Sequence, residues 1–299
     1  MWIRVAFMCL LTAVHPAWAD GNNNKTLNSV VQTVVQDFRA TREGGGYDLH
    51  SAFTRDLKYG GNCCIKSSNA ALTMCVAAVS EVIIETLNRQ SDVTAFQKLP
   101  MSSWTGGSIT TARANIFQYA GTGSRGTGHA LQLLGLGREK HFSELKPYDF
   151  INFNRNNKSG HAAVFLGYLQ PDSSVTLQYS DGVIGFAYFS AQGKGKADAG
   201  FADRYAYFDG KCPAQAAALP RDCGVLRSSN LVLLSGGELW TPDNWTTDAR
   251  LKQITASIRS VLERRYPGAT KGLIGTQLQT ELSRELQPDS DSFTGETTD

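Results

Sequence analysis

The sequence contains no apolar run long enough to span a membrane. The apolar run from Val5 to Val14 is ten residues long, well short of the roughly 20 that a membrane-spanning helix needs. Arg4 precedes this run and Ala17-Trp18-Ala19 follows it before Asp20, which is the pattern of a secretory signal with its cleavage site. We therefore predict cleavage after Ala19, a secreted or periplasmic protein, and no membrane span.

An excess of charge of one sign is also missing. Without Arg4 the sequence keeps 28 Lys and Arg residues against 27 Asp and Glu residues. A net charge this small gives no field that would attract DNA or RNA. Because the basic residues are scattered as well, we predict no nucleic-acid partner.

The sequence contains no C-x-x-C pair, which argues against a zinc site. Five cysteines remain after the signal, and an odd number in an oxidising compartment leaves at least one outside a disulfide. Cys212 and Cys223 bracket a short loop and are predicted to form a local disulfide. Cys75 is the predicted leftover thiol. Cys63 and Cys64 are adjacent and are expected not to pair with each other, so either could be reduced or paired elsewhere.

Internal repeats and long linkers are absent too, so nothing demands a second folded domain. With 299 residues, of which 41% are hydrophobic, the chain can bury a full core. We predict a signal peptide at residues 1–19, a single catalytic domain at residues 20–287 and a disordered tail at residues 288–299.

The spacing of apolar residues predicts helices in the first half of the chain. A helix that begins near Thr73, with Thr73 as its N-cap, places Cys75 in the first turn. Residues 47–69 show little periodicity and are interpreted as a structured loop. The predicted helices cover Lys25 to Arg42, Thr73 to Asn88, Ser108 to Tyr119 and Gly128 to Leu136.

From Phe150 onward the apolar pattern changes to that of short strands separated by turn residues, which predicts an antiparallel meander. Helices are predicted again near the C-terminus, at Asp248 to Arg265 and Gly275 to Leu286. The fold class is therefore α+β. The predicted strands are Phe150 to Phe153, Ala162 to Tyr168, Val175 to Tyr179, Gly185 to Phe189 and Asn230 to Leu234.

Three polar side chains could together carry nucleophilic catalysis. Cys75 lies at the positive end of a helix dipole, which favours its thiolate. His161 opens an apolar strand and could take the proton, while Gln178, on what we take to be the adjacent strand, could orient the imidazole. Cys63 and Cys64 remain rival nucleophiles.

Two segments resemble the NlpC-type cell-wall cysteine peptidases and the related CHAP amidases. Leu145 to Phe153 (LKPYDFINF) resembles that family's L-x-P-G-D strand, and Gly160 to Gly167 (GHAAVFLG) resembles its histidine strand. Cys75-Val76-Ala77-Ala78-Val79 occupies the place of the family's nucleophile turn, and Tyr59-Gly60-Gly61 resembles its upstream Y-x-W-G-G. This resemblance implies a papain-like core in which the nucleophile helix packs on an antiparallel sheet, with extra helices at both ends.

The resemblance also implies a reaction and a substrate. Cys75 would attack an amide bond of a peptidoglycan stem peptide, His161 would transfer the proton and Gln178 would hold the imidazole, without a metal or organic cofactor. An inhibitor or immunity protein is a possible partner. The alternatives are a papain-like protease or acyl hydrolase with another substrate, and a catalytically inactive periplasmic binding module.

Overall fold

The computed structural model describes residues 26–41, 46–90, 94–99, 101, 112, 126–193, 199–213 and 221–246. They form an α+β fold in which a few helices accompany one large mixed sheet, so the α+β class is confirmed, while the papain-like core stays a prediction. The predicted signal peptide, both predicted C-terminal helices and the predicted tail lie outside the described residues, as does nearly all of residues 108–119.

Four helices and ten strands carry this part of the chain. The helices are α1 (Asn28–Thr41), α2 (Cys75–Asn88), α3 (Thr94–Lys98) and α4 (Thr127–Leu133). The strands are β1 (Leu57–Tyr59), β2 (Asn62–Ile65), β3 (Gly137–Lys140), β4 (Phe150–Asn154), β5 (Gly160–Leu169), β6 (Val175–Thr176), β7 (Gly185–Gln192), β8 (Gly200–Phe208), β9 (Arg221–Val225) and β10 (Leu234–Leu239). Among the described helices, none is both long enough and apolar enough to cross a bilayer.

The large sheet has the strand order β3-β10-β4-β5-β7-β8-β9. Neighbouring strands run antiparallel except β8 and β9, which are parallel. Strands β4, β5 and β7 follow the predicted meander, and the predicted strand at Val175 to Tyr179 is reduced to β6, which pairs with β5. Strands β3, β8 and β9 were not predicted from the sequence. The last predicted strand, Asn230 to Leu234, is displaced, because pairing with β3 and β4 places β10 at Leu234–Leu239.

The central strand β5 separates two cores because its side chains alternate between the faces of the sheet. Ala162 and Val164 belong to the core on the side of α1 and α2. Ala163 and Phe165 belong to a second core on the opposite side. Aromatic rings dominate this second core, which we call the aromatic side: Phe142, Phe153, Phe165, Tyr168, Phe186, Tyr188 and Phe208.

Helix α2 begins at Cys75, close to its predicted start, and packs on β5 and β7. Its N-cap residue is Met74, which makes no side-chain capping bond. The predicted cap was wrong, because the Thr73 hydroxyl donates to the Ala52 carbonyl oxygen at 2.6 Å instead. The nearly complete burial of α2 indicates that packing sets its position, since tertiary contacts supply most helical stability in proteins.

The segment interpreted as a loop contains a two-stranded hairpin, β1-β2. Gly60 and Gly61 connect the strands with φ angles of 63° and 78°. Two successive positive φ angles suit a tight hairpin turn, and glycine adopts them without steric cost. The Gly60-Gly61 pair therefore marked a hairpin turn in the sequence. The flanking strands were not predicted because they are too short to show a clear apolar period.

Two disulfides lie in the described part of the chain. Cys212 and Cys223 are bonded as predicted, and Cys75 lies outside both disulfides, also as predicted. The expectation that Cys63 would not pair with Cys64 was wrong, because β2 carries a disulfide between them, with Cα atoms 3.1 Å apart.

A buried ion pair network joins β3, the start of β4 and β10. The Lys140 ammonium lies 2.8 Å from Asp149 Oδ2 and 2.5 Å from Glu238 Oε2. The Asn28 side chain of α1 donates to Asp149 Oδ1 at 2.8 Å, and the Trp240 indole donates to Glu238 at 3.1 Å. The Asp of the LKPYDF motif therefore connects the N-terminal helix to the edge of the sheet.

Lys140→Met should lower the free energy of unfolding by roughly 3–5 kcal/mol, because it leaves the buried Asp149 carboxylate without its cation. The partly exposed Glu238 keeps its contacts with Arg138 and Trp240. Urea unfolding at pH 7 measures this loss. Lys66→Met is the matched control, since its ammonium is exposed and pairs with Asp56 at the surface; its cost should be far smaller, because exposed ion pairs contribute little to stability. Equal costs for both variants would show that the buried network contributes little.

Candidate functional site

His161 is the second residue of β5 and its imidazole points to the aromatic side. In the antiparallel register it lies opposite Phe153 of β4, with ring centroids 5.4 Å apart. Tyr188 of β7 contacts the other side of the ring, at 5.9 Å between centroids. His161 is 6% exposed, and the preceding Gly160 is half-buried, so the imidazole lies just below the surface.

The hydroxyl of Ser190 meets this imidazole. Its Oγ lies 2.8 Å from His161 Nε2, and Ser190 is 2% exposed. The sheet register brings the two together: Phe165 of β5 lies opposite Tyr188 of β7, and alternation puts Ser190 on the same face two residues later. An imidazole nitrogen and a hydroxyl oxygen at this separation form a hydrogen bond.

A carboxylate completes the polar cluster. Asp222 of β9 accepts a hydrogen bond from the Tyr188 hydroxyl at Oδ2 and pairs with the Arg155 guanidinium at Oδ1, 3.1 Å away. Arg155 also donates to the Ser159 hydroxyl at 2.9 Å. We call His161, Ser190, Tyr188, Asp222 and Arg155 the histidine cluster; all five are buried.

Electrostatics fix the protonation states around the imidazole. Burial alone would raise the pKa of Asp222, but the charges of Arg155 and His161 and the Tyr188 hydrogen bond together hold this pKa below its usual value. Burial and the neighbouring Asp222 charge raise the pKa of Tyr188 well above its usual value. At neutral pH, His161 therefore lies near a fixed carboxylate whose tyrosine partner keeps its proton.

Arg204 anchors the backbone beside the cluster. This side chain is 1% exposed and donates to the Ser190 carbonyl oxygen at 2.8 Å and to the Gly200 carbonyl oxygen at 3.1 Å. These bonds join the ends of β7 and β8 next to the Ser190 hydroxyl. Both Arg204 and Arg155 favour negative charge here, since each acts to lower the pKa of Tyr188.

The structure does not bring Cys75 to His161. Cys75 is 1% exposed and belongs to the core on the helix side of the sheet, with Ala162 and Val164 of β5. His161 contacts Phe153 and Tyr188 of the aromatic side instead. The thiol and the imidazole therefore lie on opposite faces of the same sheet.

Gln178 also lies away from His161. It follows β6, whose Thr176 pairs with Tyr168, seven positions along β5 from the histidine. At about 3.3 Å per residue this separation is roughly 23 Å. The strand that returns beside the histidine end of β5 is β7, so Ser190 occupies the place next to the imidazole where Gln178 was expected.

His161 was predicted from its strand, whereas the other members of the histidine cluster were not predicted from the sequence. The predicted strand at Gly185 to Phe189 ended one residue before Ser190, a serine that interrupts the mostly apolar stretch Tyr188-Phe189-Ser190-Ala191. That interruption was the one local signal for a functional position. Asp222 lies within the predicted Cys212–Cys223 loop and was not recognised as a strand residue. Its strand, β9, pairs in parallel with β8, and the sequence around Asp222 does not indicate such a pairing.

Comparisons with protein-family models, with curated proteins and with solved structures found no match. The resemblance to the NlpC-type peptidases therefore stays a prediction. Within the described ranges, no group of three or more His, Cys, Asp and Glu side chains is arranged to hold a metal ion.

The Cys75 thiol should react slowly with a thiol reagent in the folded protein at neutral pH. Burial raises the cost of forming the thiolate and blocks access. Native protein should take up almost no label within minutes, whereas urea-unfolded protein with intact disulfides should take up one equivalent, since Cys75 is the described cysteine outside a disulfide. Fast native labelling at Cys75 would contradict its placement in the core.

Asp222→Asn should lower the free energy of unfolding at pH 7 by roughly 3–5 kcal/mol, because the buried Arg155 charge loses its partner. The folded-state pKa of Asp222 lies below 3.8, so its contribution is complete above that pH and is lost as the pH falls further. The difference from the wild type should therefore narrow as the pH falls below 3.8 in urea unfolding. Asp203→Asn, in a surface pair with Arg39, is the control and should cost less than about 1 kcal/mol at pH 7.

Proposed function

We propose that this chain is an exported hydrolase that cleaves amide bonds in peptidoglycan stem peptides, with His161 as its general base. The observation that carries the proposal is the contact of His161 Nε2 with the Ser190 hydroxyl beside a carboxylate. A base that reaches a hydroxyl, with an acid group to stabilise its protonated form, is the arrangement that acyl-transfer enzymes use.

The position of His161 in the chain supports the same reaction. It follows β4 and a polar turn and enters β5 directly after Gly160, in the order that the resemblance to the cell-wall peptidases implies. The substrate class comes from that resemblance. Two disulfides are compatible with export, since disulfides persist in oxidising compartments.

The electrostatics of the histidine cluster suit a base that charges during the reaction. Asp222 carries a negative charge close to the imidazole, so it stabilises the imidazolium that forms when His161 accepts a proton. Arg155 and Tyr188 hold the carboxylate in place from two directions. The base therefore needs no large rearrangement between its neutral and protonated forms.

One specific observation favours a second candidate, a non-catalytic exported binding module. The polar groups of the histidine cluster are buried and bond to one another, which also describes a network that holds β5, β7 and β9 together. In this case His161 contributes stability and the protein hydrolyses nothing. A third possibility keeps the chemistry but acts on protein or on an acyl ester.

Purified protein comprising residues 20–299 should release soluble fragments from isolated sacculi, and mass spectrometry should show a cut amide bond in the stem peptide. His161→Ala should reduce the rate by about 10²–10⁴-fold, the usual contribution of general acid–base catalysis. His50→Ala is the matched control, because His50 is exposed and its described contacts involve its backbone; its rate should match the wild type.

Circular dichroism and thermal unfolding should accompany these assays, so that a lost fold is distinguished from a lost base. Release of peptides from casein but not from sacculi would move the substrate to protein. A wild-type protein that hydrolyses sacculi, casein and acyl esters no faster than His161→Ala would favour the binding module.

A further inference from the structure

We propose that Ser190 is the nucleophile of this hydrolase, activated by His161 and supported by Asp222. The inference rests on the proposed function and names the residue that attacks the substrate. It follows from the placement of the three side chains on one face of the sheet, with Cys75 on the other face.

Contact distance favours the serine over the cysteine. Ser190 Oγ lies 2.8 Å from His161 Nε2, within the range that a nucleophile and its base require. Cys75 contributes to the core beyond β5, together with Ala162 and Val164, so the sheet itself separates its sulfur from the imidazole. Transfer of the thiol proton to His161 would require passage through the backbone layer.

Charge distribution around Ser190 suits acyl transfer as well. Attack by an alcohol places a negative charge on the carbonyl oxygen of the substrate and a positive charge on the imidazole. Asp222 stabilises the imidazolium, and the buried guanidinium groups of Arg155 and Arg204 supply fixed positive potential on the same side of the sheet. Arg204 also fixes the Ser190 backbone through its carbonyl oxygen.

The reaction balances with water as the co-substrate. Ser190 Oγ forms a bond to the amide carbon while its proton passes to His161 Nε2; the C–N bond then breaks and the amine leaves with that proton. Water attacks the acyl-serine ester, gives a proton to His161, and the ester bond breaks as Ser190 regains its proton. The products are a carboxylic acid and an amine.

The site lies at one end of the sheet, just below the protein surface. Ser190 and His161 lie at the end of β7 and the start of β5, next to the exposed turn at residues 156–158. Both side chains are nearly covered, so a small electrophile should reach them before a polymer does. This makes a small covalent probe the sharpest first test.

A fluorophosphonate should modify the folded protein by losing fluoride to Ser190 Oγ. Intact mass should show one adduct, and peptide mapping should locate it at Ser190. The adduct should be absent in Ser190→Ala, reduced at least about 100-fold in rate in His161→Ala, and absent in urea-unfolded protein. Ser235→Ala, another buried serine on β10, is the matched control and should label at the wild-type rate.

Hydrolysis of sacculi provides the second measurement. Ser190→Ala should lose roughly 10³-fold or more in rate, while Ser190→Cys, which keeps a nucleophile beside His161, should still form a covalent adduct with a thiol-directed probe at residue 190. That adduct is informative even if Ser190→Ala fails to fold.

The outcomes separate the two proposals. Labelling at Ser190 without hydrolysis of sacculi would support Ser190 as the nucleophile and contradict peptidoglycan as the substrate. Hydrolysis that is retained in Ser190→Ala and lost in Cys75→Ala would contradict Ser190 as the nucleophile, while the proposed amide hydrolysis would stand. A folded wild-type protein that takes up no probe at Ser190 would overturn the inference directly.

Discussion

The two-residue period of β5 is the constraint on which the rest of the structure depends. Both faces of this strand are buried, so each side chain must fit one of two different cores. Ala162 is small enough for α2 to pack closely on the sheet, while His161 enters the aromatic side. A shift of one residue would exchange these positions and put the imidazole under the helix. The register of β5 therefore decides which groups the histidine meets.

Burial of a polar cluster in an aromatic core requires that its members satisfy one another. An isolated charge there would be costly, and the structure meets this demand by pairing Asp222 with Arg155 and by placing the Tyr188 hydroxyl on the second carboxylate oxygen. The same low dielectric strengthens the interaction between Asp222 and His161. Stability and reactivity therefore depend on the same contacts, so loss of activity in a cluster variant is informative only when its fold is measured alongside.

Local patterns predicted the elements that carry a clear period, and pairing between distant segments decided the others. Helix α2 and the strands β4, β5 and β7 were visible in the sequence because their apolar residues recur over several positions. Strand β9 was missed, since a short segment whose second residue is Asp222 forms a strand by pairing with its distant parallel neighbour β8. For the same reason His161 was predictable from its strand, whereas Ser190 became its partner through a register that no local pattern encodes.

The placement of Cys75 and His161 on opposite faces of the sheet also shows why a motif at the expected position in the sequence does not define a catalytic site. Cys75 begins a helix that packs on the histidine strand, as the sequence suggested. Packing a helix on one face of a sheet nevertheless leaves the other face to different side chains, and His161 points there. A catalytic pair requires a shared face as well as adjacent elements, and Ser190 meets this condition because strands β5 and β7 are direct neighbours. The hydroxyl on the neighbouring strand is therefore a more direct partner for the imidazole than the thiol across the sheet.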